Sequence, residues 1–172
     1  MKKLLIAIVA LAMGATANAQ GFVGGTLGLD VLHVSRDGGS ETQTMFEITP
    51  EVGYNFNKTW AVGAQLGYGL TSIEGETVNA VSVMPFVRAT FARVSIVDFF
   101  GEIAAGYAYQ SAGGDGVSGF TMALRPGLAV NLSSSFALIA RTNLVGYEHW
   151  DGLNIVEFGL NKGFELGVSF KF

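Results

Sequence analysis

The chain has 172 residues, 49% of them hydrophobic, with 10 basic residues against 14 acidic ones and no cysteine. The absence of cysteine excludes a disulfide framework, thiolate metal sites and a lipid-modified N-terminal cysteine. The net charge of −4 argues against a nucleic-acid partner.

The N-terminus has the layout of a secretory signal peptide. Lys2 and Lys3 precede an apolar stretch over residues 4–13, and the small-residue sequence Ala17-Asn18-Ala19 follows. A membrane helix is the alternative, but this stretch is well short of the roughly 20 apolar residues that span a bilayer. The sequence therefore predicts a signal peptide over 1–19 and a mature chain over 20–172. Removal of the signal peptide takes away two lysines, which leaves 8 basic and 14 acidic residues and a net charge of about −6.

The rest of the chain alternates apolar with polar or small residues, the period of a β-strand that has different surroundings on its two faces. Eight such segments are predicted, at 22–34, 45–54, 60–70, 81–91, 96–110, 120–130, 136–147 and 164–172. Pro85 lacks the backbone donor of a ladder position, so we expect a bulge or a missing bond there. Arg141 is assigned to the inner face of the seventh segment, because a charge facing mid-bilayer costs roughly 2–4 kcal/mol.

The connections between these segments alternate in length. Short turns are predicted at 55–58, 92–95 and 131–135, and polar loops at 35–42, 72–79, 111–118 and 148–152. Short turns are typical of the periplasmic side of an outer-membrane barrel, and longer loops of its outer side.

The last segment is the most specific signal in the chain. Its alternate residues are apolar up to the final one: Phe164, Leu166, Val168, Phe170 and Phe172. Such a face needs lipid on one side and a polar lumen on the other. The sequence thus predicts an all-β fold, an eight-stranded antiparallel up-and-down transmembrane β-barrel.

Charged residues on the inner faces predict a plug in the lumen. Symmetric hairpins would place Arg88 opposite Glu102, Glu102 opposite Arg125, and Arg125 opposite Arg141, and the same row would continue through Gly63 to Glu51. Glu47 and Glu165 are possible additional acceptors. Because buried charges are tolerated only when paired and hydrogen-bonded, we expect a closed network at mid-height.

This pattern resembles the small outer-membrane β-barrel family typified by OmpX and the membrane domain of OmpA. The resemblance implies the outer membrane of a Gram-negative bacterium, with membrane lipid and lipopolysaccharide as surroundings. It also implies that the tail of Phe164, Leu166, Val168, Phe170 and Phe172 is an assembly signal read by the barrel-assembly machinery. No cofactor or metal ligand set is indicated.

Three function classes follow. The first is a non-enzymatic barrel with a structural or surface-interaction role, whose surface ligand the sequence does not identify. Its predicted loops are acidic, which favours cationic partners or divalent-ion bridging to lipopolysaccharide; Arg36 is their one basic residue, and the acids are Asp37, Glu41, Glu74, Glu76, Asp115, Glu148 and Asp151. The second is a small pore or transporter for small or apolar solutes, although an eight-stranded interior is only wide enough for side chains.

The third class is an enzyme that modifies lipid A. His33-Val34-Ser35 is similar to the His-x-Ser pair of PagL-type deacylases, in which a His base activates a Ser nucleophile. Here the pair lies at the end of the first segment rather than near the C-terminus, and no acid is aligned with it. The sequence therefore favours a protein that is not an enzyme.

Overall fold

The computed structural model describes residues 21–36, 39–73, 76–112 and 115–172, with side chains except at 30–43, 73–76, 112–114 and 160–163. Each strand pairs antiparallel with its neighbours in sequence, and β8 pairs with β1, so the sheet closes into a barrel. The predicted eight-stranded all-β barrel is therefore confirmed. The strands are β1 (Gly21–Arg36), β2 (Gly39–Asn55), β3 (Trp60–Ile73), β4 (Glu76–Val94), β5 (Val97–Ala112), β6 (Asp115–Asn131), β7 (Phe136–Trp150) and β8 (Leu153–Lys171).

Alternation along each strand separates an apolar outer surface from a mixed interior. On β8, for example, Leu166 and Phe170 are half exposed on the outer surface, whereas Glu165 and Ser169, each the residue just before one of them, are buried. Large apolar side chains exposed on every strand require a hydrocarbon surrounding. Among the described residues there is no helix that could cross a membrane.

The strands have 14 to 19 residues and are longer than the sequence predicts. The loops predicted over 35–42, 72–79, 111–118 and 148–152 are wrong in extent. Apart from 37–38, 74–75 and 113–114, which lie outside the described residues, most of these positions continue the strands, and β7 and β8 are joined by a turn at Asp151 and Gly152. Polar composition misled the prediction because strand pairing continues beyond the roughly 25 Å apolar band, where side chains on both faces can be polar.

The barrel has two ends. The terminal end carries Gly21, Phe172 and the turns that join β2 to β3, β4 to β5 and β6 to β7; the far end carries the other connections. Two of the terminal turns are held by hydrogen bonds from a side chain to nearby backbone amides. Asn57 Oδ1 accepts hydrogen bonds from the Thr59 and Trp60 amides at 2.8 and 2.9 Å, and Ser133 Oγ accepts one from the Phe136 amide at 3.0 Å. These bonds hold the turns without long loops.

Each of the three prolines lies where one of its two ladders is interrupted. The β4–β5 pairing omits Met84 and Pro85 without a change of register, so of the two predicted alternatives the missing bond is found at Pro85 and the bulge is not. A separate irregularity of this ladder lies between Thr90 and Ala92. The β2–β3 pairing likewise omits Pro50, and the β6–β7 register shifts across Pro126. A proline supplies no amide hydrogen, so each can keep full pairing on one side only.

Candidate functional site

Six charged side chains meet inside the barrel, one from each strand except β1 and β3. Three are carboxylates and three are guanidinium groups, so the set is formally neutral. Alternation directs each of them inward from mid-strand, and all of them are buried except Arg88, whose side chain is 11% exposed. We call this set the plug: Glu51, Arg88, Glu102, Arg125, Arg141 and Glu165.

Glu102 is the centre of the plug and contacts all three arginines. Its Oε2 accepts hydrogen bonds from Arg88 Nε at 2.9 Å and Nη2 at 2.7 Å. Its Oε1 lies 2.6 Å from Arg125 Nη2 and 3.4 Å from Arg141 Nη1. Because the Glu102 side chain is fully buried, these contacts replace all of its hydration.

Glu51 and Glu165 complete the pairing around Arg141. Arg141 Nη1 lies 2.7 Å from Glu51 Oε2, and its Nε donates to Glu165 Oε2 at 2.8 Å. Arg88 Nη2 lies 3.0 Å from Glu51 Oε1, and Arg125 Nη1 is 3.8 Å from Glu165 Oε1. The plug is therefore a single connected network that crosses the lumen.

Two neutral side chains belong to the network and were missed from the sequence. Gln65 Nε2 donates to Glu51 at 3.3 Å and Glu102 at 3.2 Å, while its Oε1 accepts from Arg125 Nη2 at 2.8 Å. Thr26 accepts from Arg141 Nη2 at 2.9 Å and donates to Glu165. Both lie at inward positions of their strands. The alternation of inward and outward positions is therefore the sequence signal that could have identified them.

The strand registers explain why the sequence did not place Gln65 in the network. The predicted opposition of Arg88 with Glu102, and of Glu102 with Arg125, occurs in the ladders. The opposition of Arg125 with Arg141 is wrong, because the irregularity across Pro126 brings Gly127 opposite Arg141. The β2–β3 and β3–β4 hairpins also differ from the prediction, because the centre of each lies one position away from the predicted one. Glu51 therefore lies opposite Gln65, Gly63 opposite Phe86, and Arg88 opposite Ala61.

Aromatic rings form the terminal side of the plug, another feature that the sequence did not reveal. The Arg88 guanidinium carbon lies 5.4, 5.0 and 4.7 Å from the ring centroids of Phe22, Phe86 and Phe100, within the range of cation–π attraction. Each ring covers a glycine directly across the ladder, and a Cβ on any of these glycines would overlap the ring. The pairs are Phe22 with Gly53, Phe86 with Gly63 and Phe100 with Gly127.

Two cavities flank the plug. The terminal cavity, of about 490 Å³, is lined by Ala129, Ser169 and Lys171 among others and reaches Arg88. The far cavity, of about 370 Å³, is lined by Glu47 and Trp150 among others and reaches Arg125 and Glu165. The plug thus lies between two spaces inside one barrel.

The remaining candidates lie away from the plug. Glu47 lines the far cavity and takes part in none of the ion pairs among the described residues. The side chains of His33 and Ser35, like those of Arg36, Asp37, Glu41, Glu74 and Glu76, lie outside the described part of the chain. Of the other predicted loop acids, Asp115 and Asp151 are exposed and Glu148 accepts a hydrogen bond from Trp150 Nε1 at 2.7 Å. The tail residues Phe164, Leu166, Val168, Phe170 and Phe172 all face outward.

The described residues contain no group of three or more His, Asp or Glu side chains that could hold a metal ion. His149 Nδ1 lies 2.9 Å from Asn154 Oδ1, a contact within the far-end hairpin.

Sequence comparison places this barrel among known proteins. The family model described as "Outer membrane protein beta-barrel domain" matches residues 4–172. The chain belongs to this family. It is thus an outer-membrane β-barrel protein, a class found in the Gram-negative outer membrane. No curated protein sequence matches it.

Solved structures show the same fold at low sequence identity. The chain is similar to Neisserial surface protein A, with a TM-score of 0.62, 16% identity, and coverage of 90% of this chain and 98% of that one. It is also similar to Ail of Yersinia pestis in complex with the heparin analogue sucrose octasulfate (TM-score 0.54, 17% identity, coverage 89% and 99%). OprG of Pseudomonas aeruginosa gives a TM-score of 0.53, 12% identity, and coverage of 90% and 96%.

Proposed function

We propose that this protein is a closed, non-enzymatic outer-membrane barrel with a structural or surface-interaction role. The observation that carries the proposal is the plug, in which three carboxylates and three guanidinium groups join across the lumen. An ion passing through would have to separate buried pairs and leave charges without partners, at a cost of several kcal/mol each. Function then resides on the outer faces and the far end.

Conductance across a planar bilayer tests this proposal. The refolded parent protein is expected to give no steady current. Glu102→Ala removes the central carboxylate and should allow brief leaks, while Asp151→Ala at the exposed far-end turn should stay silent. A steady open current in the parent would refute the closed barrel and favour the alternative, a small pore or transporter for small or apolar solutes.

The orientation and export of the protein belong to the same proposal. The terminal end, with its short turns, faces the periplasm, and the far end faces the outside. The barrel-assembly machinery inserts the chain after removal of residues 1–19, which lie outside the described part. N-terminal sequencing of outer-membrane protein should begin at Gln20, and recovery of an intact Met1 would contradict the signal peptide.

Charge at the far end favours a cationic or ion-bridged partner. The described acids there include the exposed Asp115 and Asp151, and the described side chains of that end include no lysine or arginine. Ail has been solved with a sulfated heparin analogue, but an acidic rim would repel such a polyanion. We expect Mg²⁺-dependent binding of lipopolysaccharide that weakens in Asp115→Asn/Asp151→Asn, and equal binding by parent and variant would contradict the role of these acids.

A lipid A deacylase is the remaining class. It would need His33 and Ser35, so parent protein and Ser35→Ala should be compared for fatty-acid release from lipid A in detergent micelles. We expect no release by either. Release by the parent that Ser35→Ala abolishes would overturn the non-enzymatic assignment.

A further inference from the structure

The terminal cavity has an excess of positive charge. Among the described residues that line it, four are basic and one is acidic: Lys58, Arg88, Arg93, Lys171 and Asp98. Arg88 is already paired with Glu51 and Glu102 inside the neutral plug. Three cations and one carboxylate remain, which leaves a formal excess of two positive charges at this end of the lumen.

A bulge turns Arg93 toward the cavity. Arg88 and Thr90 face the lumen, so uninterrupted alternation along β4 would direct Arg93 outward. The irregularity after Thr90 adds one residue to β4 and brings Arg93 opposite Asp98, an inward position of β5. Arg93 Nε donates to Asp98 Oδ1 at 3.0 Å, its Nη2 donates to the Lys58 carbonyl, and its side chain is still 44% exposed. Bulges often re-aim a side chain in this way beside a functional site.

Lys171 enters the same space from β8, across the lumen from β4 in the order of the strands. It shares the inward parity of the buried Glu165 and Ser169, and its Nζ donates to Asn131 Oδ1 at 2.6 Å. Ala137 of the intervening β7 lies opposite Asn131 and is buried, which puts this bond on the lumen side. Lys171 takes part in no ion pair among the described residues. Its ammonium group therefore has donors left for an anion.

The carboxylate of Asp98 shows that one anion can interact with both cations. It is paired with Arg93 and also attracts Lys171 electrostatically. Thr90 and Ser169, at inward positions of β4 and β8, add hydroxyl groups to the lining. A concave space of about 490 Å³ with walls of one charge concentrates small counter-ions.

We propose that the terminal cavity binds a small anion that carries a phosphate group, either inorganic phosphate or a small phosphate monoester. Two negative charges balance the excess of two positive ones, and guanidinium and ammonium groups are both good partners of phosphate oxygens. Arg93 and Lys171 hold the phosphate group, and Asp98 competes with it for Arg93. The plug closes the inner side, so the ligand enters and leaves at the terminal end. This site is additional to the role proposed for the outer faces and the far end.

Isothermal titration calorimetry tests the proposal on protein folded in dodecyl maltoside, a non-ionic detergent without phosphate. The probes are inorganic phosphate, glycerol 3-phosphate, acetate and glycerol, at low ionic strength and a mildly alkaline pH at which both phosphates carry two charges. We expect saturable binding of both phosphates, binding of acetate that is about tenfold weaker, and none of glycerol. Tighter binding of the ester would assign the site to an esterified phosphate, and the reverse order to the free ion.

Variants assign the heat to the terminal cavity. Lys171→Gln removes one cation and should weaken phosphate binding about tenfold. Asp98→Asn removes the competing carboxylate and releases Arg93, so it should strengthen binding, a change that a purely structural ion pair would not produce. Lys162→Gln is the matched control, because it removes the same charge from the same strand at a position opposite Asn143 in the far half. It should leave phosphate affinity unchanged.

Four results would overturn the proposal. They are no saturable binding of either phosphate, binding of acetate or glycerol as tight as that of phosphate, equal losses in Lys171→Gln and Lys162→Gln, and an unchanged or weaker affinity in Asp98→Asn. Circular dichroism verifies that each variant is folded before it is scored. The Asp98→Asn result decides the case if Lys171→Gln does not fold.

Discussion

The two halves of the lumen are packed in different ways. Toward the terminal end, rings of Phe22, Phe86 and Phe100 cover glycines across the ladder and pack against the plug. Toward the far end, small residues line a cavity of about 370 Å³. The same alternating strands build both halves, so the difference arises from side-chain volume at inward positions. Both halves contain a cavity, of about 490 Å³ in the terminal half and about 370 Å³ in the far half, so the contrast lies in the three rings packed against the plug and not in the presence of free space.

The pairing of β8 differs between the two halves. The β1–β8 ladder runs from Phe22 opposite Lys171 to Gly28 opposite Glu165, all within the terminal half and the plug. Farther along, the β7–β8 register shifts on both sides of Asn143, and Gly159 has a φ of 149°. The irregular part of the β7–β8 ladder thus lies in the far half. The bulge of the β4–β5 ladder, between Thr90 and Ala92, lies near the terminal end, so the difference is a property of β8 and not of all strands.

The largest expected effect comes from breaking the plug at its centre. Glu102→Ala would leave Arg88, Arg125 and Arg141 short of a carboxylate and should destabilise the barrel by about 3–5 kcal/mol. Reversible urea unfolding from lipid vesicles measures this loss. The matched control is Asp98→Ala, which breaks the more exposed pair between Arg93 Nε and Asp98 Oδ1 at 3.0 Å and should cost about 0.2–1 kcal/mol. Equal losses would mean that burial adds nothing to the plug.

The next largest effect separates the outer surface of the terminal half from its lumen. Leu166→Arg places a charge against lipid and should cost roughly 2–4 kcal/mol. Ser169→Arg is expected to be milder, because Ser169 lines the terminal cavity of about 490 Å³. The same unfolding measurement compares the two variants, and a greater loss for Ser169→Arg would contradict the assigned faces.

The sequence could predict the fold because alternation is a local property of each strand. The inward position of Arg141 followed from the cost of a charge in lipid, and the Glu102 pairs followed from hairpins that are close to symmetric. Gln65 could not be placed, because its pairing with Glu51 depends on the register of a turn, and a shift of one position changes the partner. The aromatic cluster around Arg88 depends on contacts across the lumen between β1, β4 and β5, which no single hairpin contains.

A smaller effect should distinguish the halves by their glycines. Gly63→Val would push into the Phe86 ring and the Val52 carbonyl and should cost about 1–3 kcal/mol through overpacking. At Gly69, in the far half, a Cβ would meet Ala80 at 3.6 Å and nothing closer, so Gly69→Val should change stability by no more than about 0.5 kcal/mol. A larger loss at Gly69 than at Gly63 would contradict the closer packing around Gly63.

The smallest effect on stability is expected at the terminal end of the barrel. Phe172 donates its amide hydrogen to the Gly21 carbonyl at 3.0 Å, and its exposed ring lies near Gly21. Deleting Phe172 should therefore change the unfolding free energy by only about 0.5 kcal/mol, as for other surface changes. If the tail is an assembly signal, the amount of protein in the outer membrane of cells should nevertheless fall, while refolding into detergent stays near the parent level. Phe56→Ala, at another exposed ring of the same end, is the control and should leave the yield unchanged. An undiminished outer-membrane yield without Phe172 would show that assembly does not depend on the terminal residue.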